Sequence, residues 1–324
     1  MSRFPAPATL NRLSADPRHQ SGPVAGLTID PRRPWVPEHR TQLYYTPIYA
    51  SLHYEHRLRY NQLFGLRINE YGMMLEEEMT ERLLAPVRDR ATIRADAELA
   101  RAVDFIRSEE ASHFRLFAQC NRAARPDLYP PGQDRLFSRL PWWAKAMFRF
   151  VGHTSHFSAY GLWYVIAMEE SSLSLAREMK EQPETETLGP LDPGFTAVQV
   201  EHARDEARHV PIEAQLIECL LAATPAWRRA IDARLFKAML KGLVVPPRGG
   251  AGARVVRQLV REMPELKDRE EEMIQAVLGL RHNPAFMRSL FNRAIMPVSF
   301  ALFDAIPELA DLGERMAGYD RRAA

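Results

Sequence analysis

The chain has 324 residues, 46% apolar and 26% charged, the balance of a globular protein long enough to bury a sizeable core. Its 43 Lys and Arg against 41 Asp and Glu leave a formal charge of +2, which argues against a dedicated nucleic-acid binder, since such proteins carry a basic excess. The two cysteines, Cys120 and Cys219, support neither a disulfide scaffold nor a thiolate-rich metal site, and suit a reducing cytoplasm.

Residues 1–45 carry Pro5, Pro7, Pro17, Pro23, Pro31, Pro34 and Pro37, each of which removes a backbone donor. This predicts a mostly irregular arm, mobile or wrapping, ahead of a single all-α domain over 46–324. The stretch to Asp16 has no apolar segment of the signal-peptide kind. The longest apolar run, Tyr160 to Met168, is far short of the roughly 20 residues that a membrane span needs. No membrane partner and no nucleic-acid partner is expected, and the location expected is cytoplasmic.

From Ser51 the pattern turns helical. Leu63, Leu66, Met73 and Leu83 predict a first helix within Ser51–Arg88. A second is predicted from Arg94 to Ala123, stopped by Pro126, and a third, in one or two pieces, from Trp142 to Glu181. Gly189, Pro190, Pro193 and Gly194 break the chain before a fourth, Phe195 to Ala222. After a segment from Pro225 to Leu243 and a Pro246-to-Gly250 loop come three shorter helices, separated by Pro264, Pro284 and Pro307. Period-two alternation is almost absent, so the fold class expected is all-α: a ferritin-like four-helix bundle core with extra C-terminal helices.

The fourth predicted helix carries His202, Glu206 and His209, spaced four and three apart, and so on one face. The second carries Glu110 and His113, three apart. Two Glu-x-x-His pairs, plus a lone Glu from each of two other helices, are the ligand set of di-metal carboxylate bundles. One such pair alone arises often by chance, and runs such as Glu76-Glu77-Glu78 are usually solvated. Two pairs alternating with helices that place a Glu on an apolar face are far harder to reach by accident. Glu76 shares a stripe with Asn69, Met73, Met79 and Leu83. Glu169 falls beside Leu162, Val165, Ile166, Leu173 and Ala176, whereas its alternative, Glu170, falls toward Ser174 and Arg177. A carboxylate on an apolar face is costly unless paired or bound to metal, which favours Glu76 and Glu169. His202, one turn before Glu206, would add a seventh ligand to the usual six. Oxygen and nitrogen donors suit iron, with manganese as the alternative.

These residues resemble a known family. Glu110-Ala-Ser-His113, followed by His202-Ala-Arg-Asp-Glu206-Ala-Arg-His209, is similar to the arylamine N-oxygenases of the p-aminobenzoate N-oxygenase family, as is Arg59-Tyr-Asn-Gln-Leu ahead of Asn69-Glu70 and Glu76. The likeness covers about Tyr54 to Glu213, and the C-terminal helices more loosely. It implies a non-haem di-iron centre held by Glu76, Glu110, His113, Glu169, His202, Glu206 and His209. It also implies O2-dependent oxidation of a small-molecule amine to hydroxylamine and then nitroso or nitro product, as in secondary metabolism. Electrons would come from an external electron donor, either a protein or a small reductant, and the assembly would be a homodimer.

Other residues carry weaker signals. Asp205 and Glu109 would either hold ligand imidazoles or form salt bridges with Arg204 or Arg208. Arg281, beside His282, would suit a substrate carboxylate, with Arg67, Arg101, Arg254 and Arg288 as rivals. His153 and His156 read as buried or helix-end histidines. The cluster Trp142, Trp143, Phe148, Phe150, Phe157, Tyr160, Trp163 and Tyr164 reads as core. Gly249-Gly250-Ala-Gly252 reads as a loop, not a phosphate cradle. Competing functions are C–H hydroxylation or desaturation by the same centre, metal storage in a non-catalytic bundle, and a metal-free helical interaction protein.

Overall fold

The computed structural model describes residues 4–77, 81–138, 142, 145–146, 149–150, 153, 160–244 and 247–322. The described chain is helical, with no strand among the described residues beyond isolated bridges. No helix among them is long and apolar enough to cross a membrane. Four long helices form the centre. With the shorter helices in chain order they are α1 (Pro7–Ser14), α2 (Pro47–Ala50), α3 (Tyr54–Leu75), α4 (Glu81–Arg88), α5 (Ala91–Arg94), α6 (Ala97–Ala124), α7 (Tyr160–Glu181), α8 (Pro193–Ala222), α9 (Ala226–Val244), α10 (Ala251–Glu262), α11 (Glu270–Gly279), α12 (Pro284–Leu290) and α13 (Pro297–Asp304).

Local chemistry fixes the helix starts. Asp96 accepts hydrogen bonds from the backbone N–H groups of Glu98 and Leu99, both at 3.0 Å, and starts α6. Asp192 accepts from the N–H of Phe195 at 2.6 Å and starts α8, with Pro193 in the first-turn position that tolerates proline. The same tolerance explains α1, which the arm's proline content hid: Pro7 opens that helix rather than breaking it. The first predicted helix is split, because α3 ends at Leu75 in a π-helical turn over residues 76–77. The last predicted helix is also split, since Pro297 begins α13. Much of the first half of the predicted third helix lies outside the described residues, as do Trp143, Phe148, His156 and Phe157. Trp142 and Phe150, read as core, are exposed, whereas Tyr160, Trp163 and Tyr164 are buried.

Burial follows two apolar clusters. The first takes Leu99–Ile106 of α6, Tyr160–Ala167 of α7, Val210–Leu220 of α8, and Leu83–Val87 of α4. The second takes Tyr60–Met73 of α3, Leu116–Cys120 of α6, Leu175 and Met179 of α7, and Phe195 and Val198 of α8. On every long helix the candidate ligands fall in the gap between the two. The order of the clusters gives the directions: α6 and α7 run from the first to the second, and α8 runs back. The chain must therefore cross over between α6 and α7, as in ferritin-like bundles with one long connection. α7 packs along α8, and α3 along α6.

The arm wraps. Asn61 Oδ1 accepts from the N–H of Trp35 at 2.8 Å, and Asp192 Oδ2 accepts from the N–H of Asp30 at 2.8 Å. Gly194, at the start of α8, admits the arm's backbone: a Cβ there would lie 2.1 Å from the carbonyl oxygen of Thr28. Replacing Gly194 with Ala should therefore destabilise the fold by about 1–3 kcal/mol, measured by urea unfolding, because backbone and not a flexible side chain must yield.

Candidate metal centre

The seven candidate ligands converge. Glu76, His113, His202 and Glu206 form one group, and Glu110, Glu169, Glu206 and His209 a second; in each, one donor atom per residue lies within 4.8 Å of all the others. Every one of the seven is buried. Glu206 belongs to both groups and divides its oxygens between them. Its Oε1 is 2.8 Å from His202 Nε2 and 3.3 Å from His113 Nδ1, while its Oε2 is 3.3 Å from His209 Nδ1. Glu110 belongs to the second group alone, with Oε1 3.2 Å from His209 Nδ1 and Oε2 3.8 Å from His113 Nδ1. Glu76 reaches the first group from the π-helical turn, a distortion common at functional sites, and its Oε2 is 3.2 Å from His113 Nδ1.

Of these close pairs, His113 Nδ1 and Glu76 Oε2 are hydrogen-bonded, at 3.2 Å, but short distances do not satisfy the rest. Glu110 Oε1, both oxygens of Glu169, His202 Nε2, Glu206 Oε2 and His209 Nδ1 are buried without a hydrogen bond. Buried polar atoms are almost always satisfied, and a knot of unsatisfied acceptors is costly. Cations in the middle are the partners that fit. Four carboxylates offset the charge of two divalent ions, and three neutral imidazoles complete an oxygen and nitrogen donor set. In the metal-free chain protons take that role. Burial pulls His113 down, but the Asp205 hydrogen bond and the charges of Glu110 and Glu206 push it up to about 10. Burial raises Glu169 well above the usual carboxylate range, and the charges of Glu213 and Glu206 raise it further.

Each imidazole is held on its far side. Asp205 Oδ2 lies 3.0 Å from His113 Nε2, Glu109 Oε2 lies 2.8 Å from His209 Nε2, and Ser172 Oγ lies 3.0 Å from His202 Nδ1. Asp205 and Glu109 both bond Arg208 as well, so the two roles expected as alternatives coexist. Arg204 instead pairs with Glu201.

The structure separates Glu169 from Glu170. Glu170 turns away and accepts from the N–H groups of Val298 and Ser299, both at 2.7 Å, at the start of α13. Glu77 is exposed and pairs with Arg135, while Glu78 lies outside the described residues. Sequence reasoning passed over Glu213. It is fully buried, both its oxygens lack hydrogen bonds, and its charge acts on Glu169. Its signal was present, since 213 extends the stripe 202, 206, 209 by one more turn.

A cavity of about 240 Å³ opens beside the cluster, lined by Glu76, Glu110, Glu169, His202 and Glu206 and by apolar side chains such as Phe117 and Met168. Arg281 is not among its lining residues: it is exposed, and its Nε donates to His282 Nε2 at 2.9 Å. His153 is exposed too. Two arginines do line the cavity. Arg40 is neutralised by Glu178, whose Oε2 lies 2.8 Å from Arg40 Nε. Arg67 faces the cavity without an ion pair among the described residues; its Nε is buried without a partner, and burial lowers its pKa.

This arrangement defines the class of all-α di-metal carboxylate bundles. The family model described as p-aminobenzoate N-oxygenase AurF matches residues 9–293, and the chain belongs to that family. A comparison with curated proteins finds no match. Membership makes the protein a di-iron oxygenase by class, in keeping with the buried carboxylate and histidine cluster.

The two neighbouring glutamates of α7 should behave oppositely. Glu170→Ala removes the cap of α13 and should cost about 1 kcal/mol of stability with metal content intact. Glu169→Ala should lower metal content instead. Thermal melts and metal analysis on both variants check the pair.

Proposed function

We propose that the protein is an O2-dependent monooxygenase that oxidises the nitrogen of a small-molecule amine, foremost an arylamine, to hydroxylamine and onward to nitroso or nitro product. The observation that carries this reading is the pair of four-residue groups sharing Glu206, set directly against a mostly apolar cavity. Glu76, His113, His202 and Glu206 would hold one ion, and Glu110, Glu169, Glu206 and His209 the other. Two iron ions would supply the redox chemistry that activates dioxygen, with electrons from an external donor.

The chain's own contribution is geometric and electrostatic. Glu206 offers one oxygen to each group, and Glu110 offers its oxygens to the second. Asp205, Glu109 and Ser172 hold the far ring atoms of the three imidazoles, so that the near nitrogens stay aimed inward. The apolar part of the cavity wall would receive the body of the substrate. Arg67, stacked 4.8 Å over the Phe64 ring and without an ion pair among the described residues, would take an acidic group on that substrate by charge-assisted hydrogen bonds.

The test is anaerobic loading with Fe(II), reduction, admission of O2, and mass analysis of a panel of amines. About two irons per chain and N-oxidised arylamine are expected. Exclusive C–H hydroxylation or desaturation would replace the reading with the same centre doing other chemistry, and many irons per chain without turnover would replace it with storage. Arg67→Leu should raise KM for carboxylate-bearing amines about ten- to a hundredfold, since hydrogen bonds to charged groups are worth about 1.5–3 kcal/mol. Neutral amines should be little affected.

A further inference from the structure

We infer that the N-terminal arm belongs to the metal-holding apparatus, with Ser21 and Arg208 as positioning residues that set one imidazole of each ligand group. The inference rests on the metal-centre reading above and extends it to a part of the chain that supplies no ligand.

The argument starts from a hydrogen-bonded path outside the cluster. His113 Nε2 lies 3.0 Å from Asp205 Oδ2, and Asp205 Oδ1 accepts from Arg208 Nη2 at 2.5 Å. The same Nη2 donates to Glu109 Oε1 at 2.8 Å, and Glu109 Oε2 lies 2.8 Å from His209 Nε2. The path therefore runs from the imidazole of one group to that of the other through a single guanidinium. A carboxylate facing each Nε2 favours the proton there and leaves Nδ1 as the ligand atom.

The arm closes this path from outside. Ser21 Oγ donates to Asp205 Oδ2 at 2.5 Å, and the Ser21 N–H lies 3.1 Å from both Asp205 oxygens. Arg208 Nε donates to Ser14 Oγ at 3.0 Å and Nη1 to the carbonyl of His19 at 2.9 Å. Ser14, Ser21, Glu109, Asp205 and Arg208 are all buried. With the arm lifted, Asp205 loses three of its hydrogen-bond contacts and Arg208 two, water enters, and both imidazoles are free to turn. Binding equilibria that share a conformational element are reciprocal. Metal should therefore hold the arm down, and the arm should slow the loss of metal.

The experiment uses the full-length chain loaded with Fe(II), or with Co(II) as a spectroscopic probe, and two readouts that need no turnover. The first is the rate of metal extraction by a chelator. Ser21→Ala should release metal about ten- to a hundredfold faster, the usual range for losing a partner of a ligand, and should alter the Co(II) absorption bands. Ser21→Thr, which keeps the hydroxyl, should restore both. The second readout is trypsin cleavage of wild-type protein after Arg18, whose side chain is 85% exposed in the arm. Metal should slow that cleavage. Wild-type chains that load metal, with Ser21→Ala indistinguishable from them in release or with cleavage after Arg18 unchanged by metal, overturn this inference alone. Wild-type chains that take up neither ion overturn the metal-centre reading and the inference with it.

Discussion

The structure depends on one electrostatic constraint: carboxylates and imidazoles are concentrated in a buried layer of a helical bundle. Charges so placed are tolerated only when something of opposite sign sits among them. Two apolar clusters above and below keep water away and hold the four long helices in place. The polar layer cannot relieve itself by moving to the surface. Its unsatisfied atoms on Glu110, Glu169, His202, Glu206 and His209 belong to the two candidate ligand groups, an arrangement that cations would complete.

Much of this was legible because it is periodic. Spacings of three and four place His202, Glu206 and His209 on one face whatever surrounds them, and Glu110 with His113 likewise. The choice of Glu76 and Glu169 followed from the price of an unpaired carboxylate on an apolar stripe. What escaped depended on tertiary neighbours. Glu170 has its partners 128 and 129 residues away, at a helix start that its own neighbours do not announce. Arg281 and Arg67 look alike as letters, and only packing tells which one faces the cavity. Proline content hid α1, because proline breaks a helix interior but suits the first turn. Glu213 obeyed the same spacing as its neighbours, yet the expected ligand set was already full.

The arm shows how far the support of a site can lie from it in sequence. Asp205 and Arg208 stand on the ligand helix itself, but their remaining hydrogen-bonding capacity is filled by residues near the chain's beginning, 184 to 194 positions earlier. The family match begins at residue 9, so it includes this segment together with the bundle.

Glu170 bears on how α7 is set. Neighbouring residues on a helix point about 100° apart, so a small rotation of α7 would swing one glutamate out of the metal layer and the other toward it. Glu170's bonds to the start of α13 oppose that rotation. The C-terminal helices thus act as a register pin, and the carboxylate presented to the candidate metal layer is set by an element that supplies none of the candidate ligands.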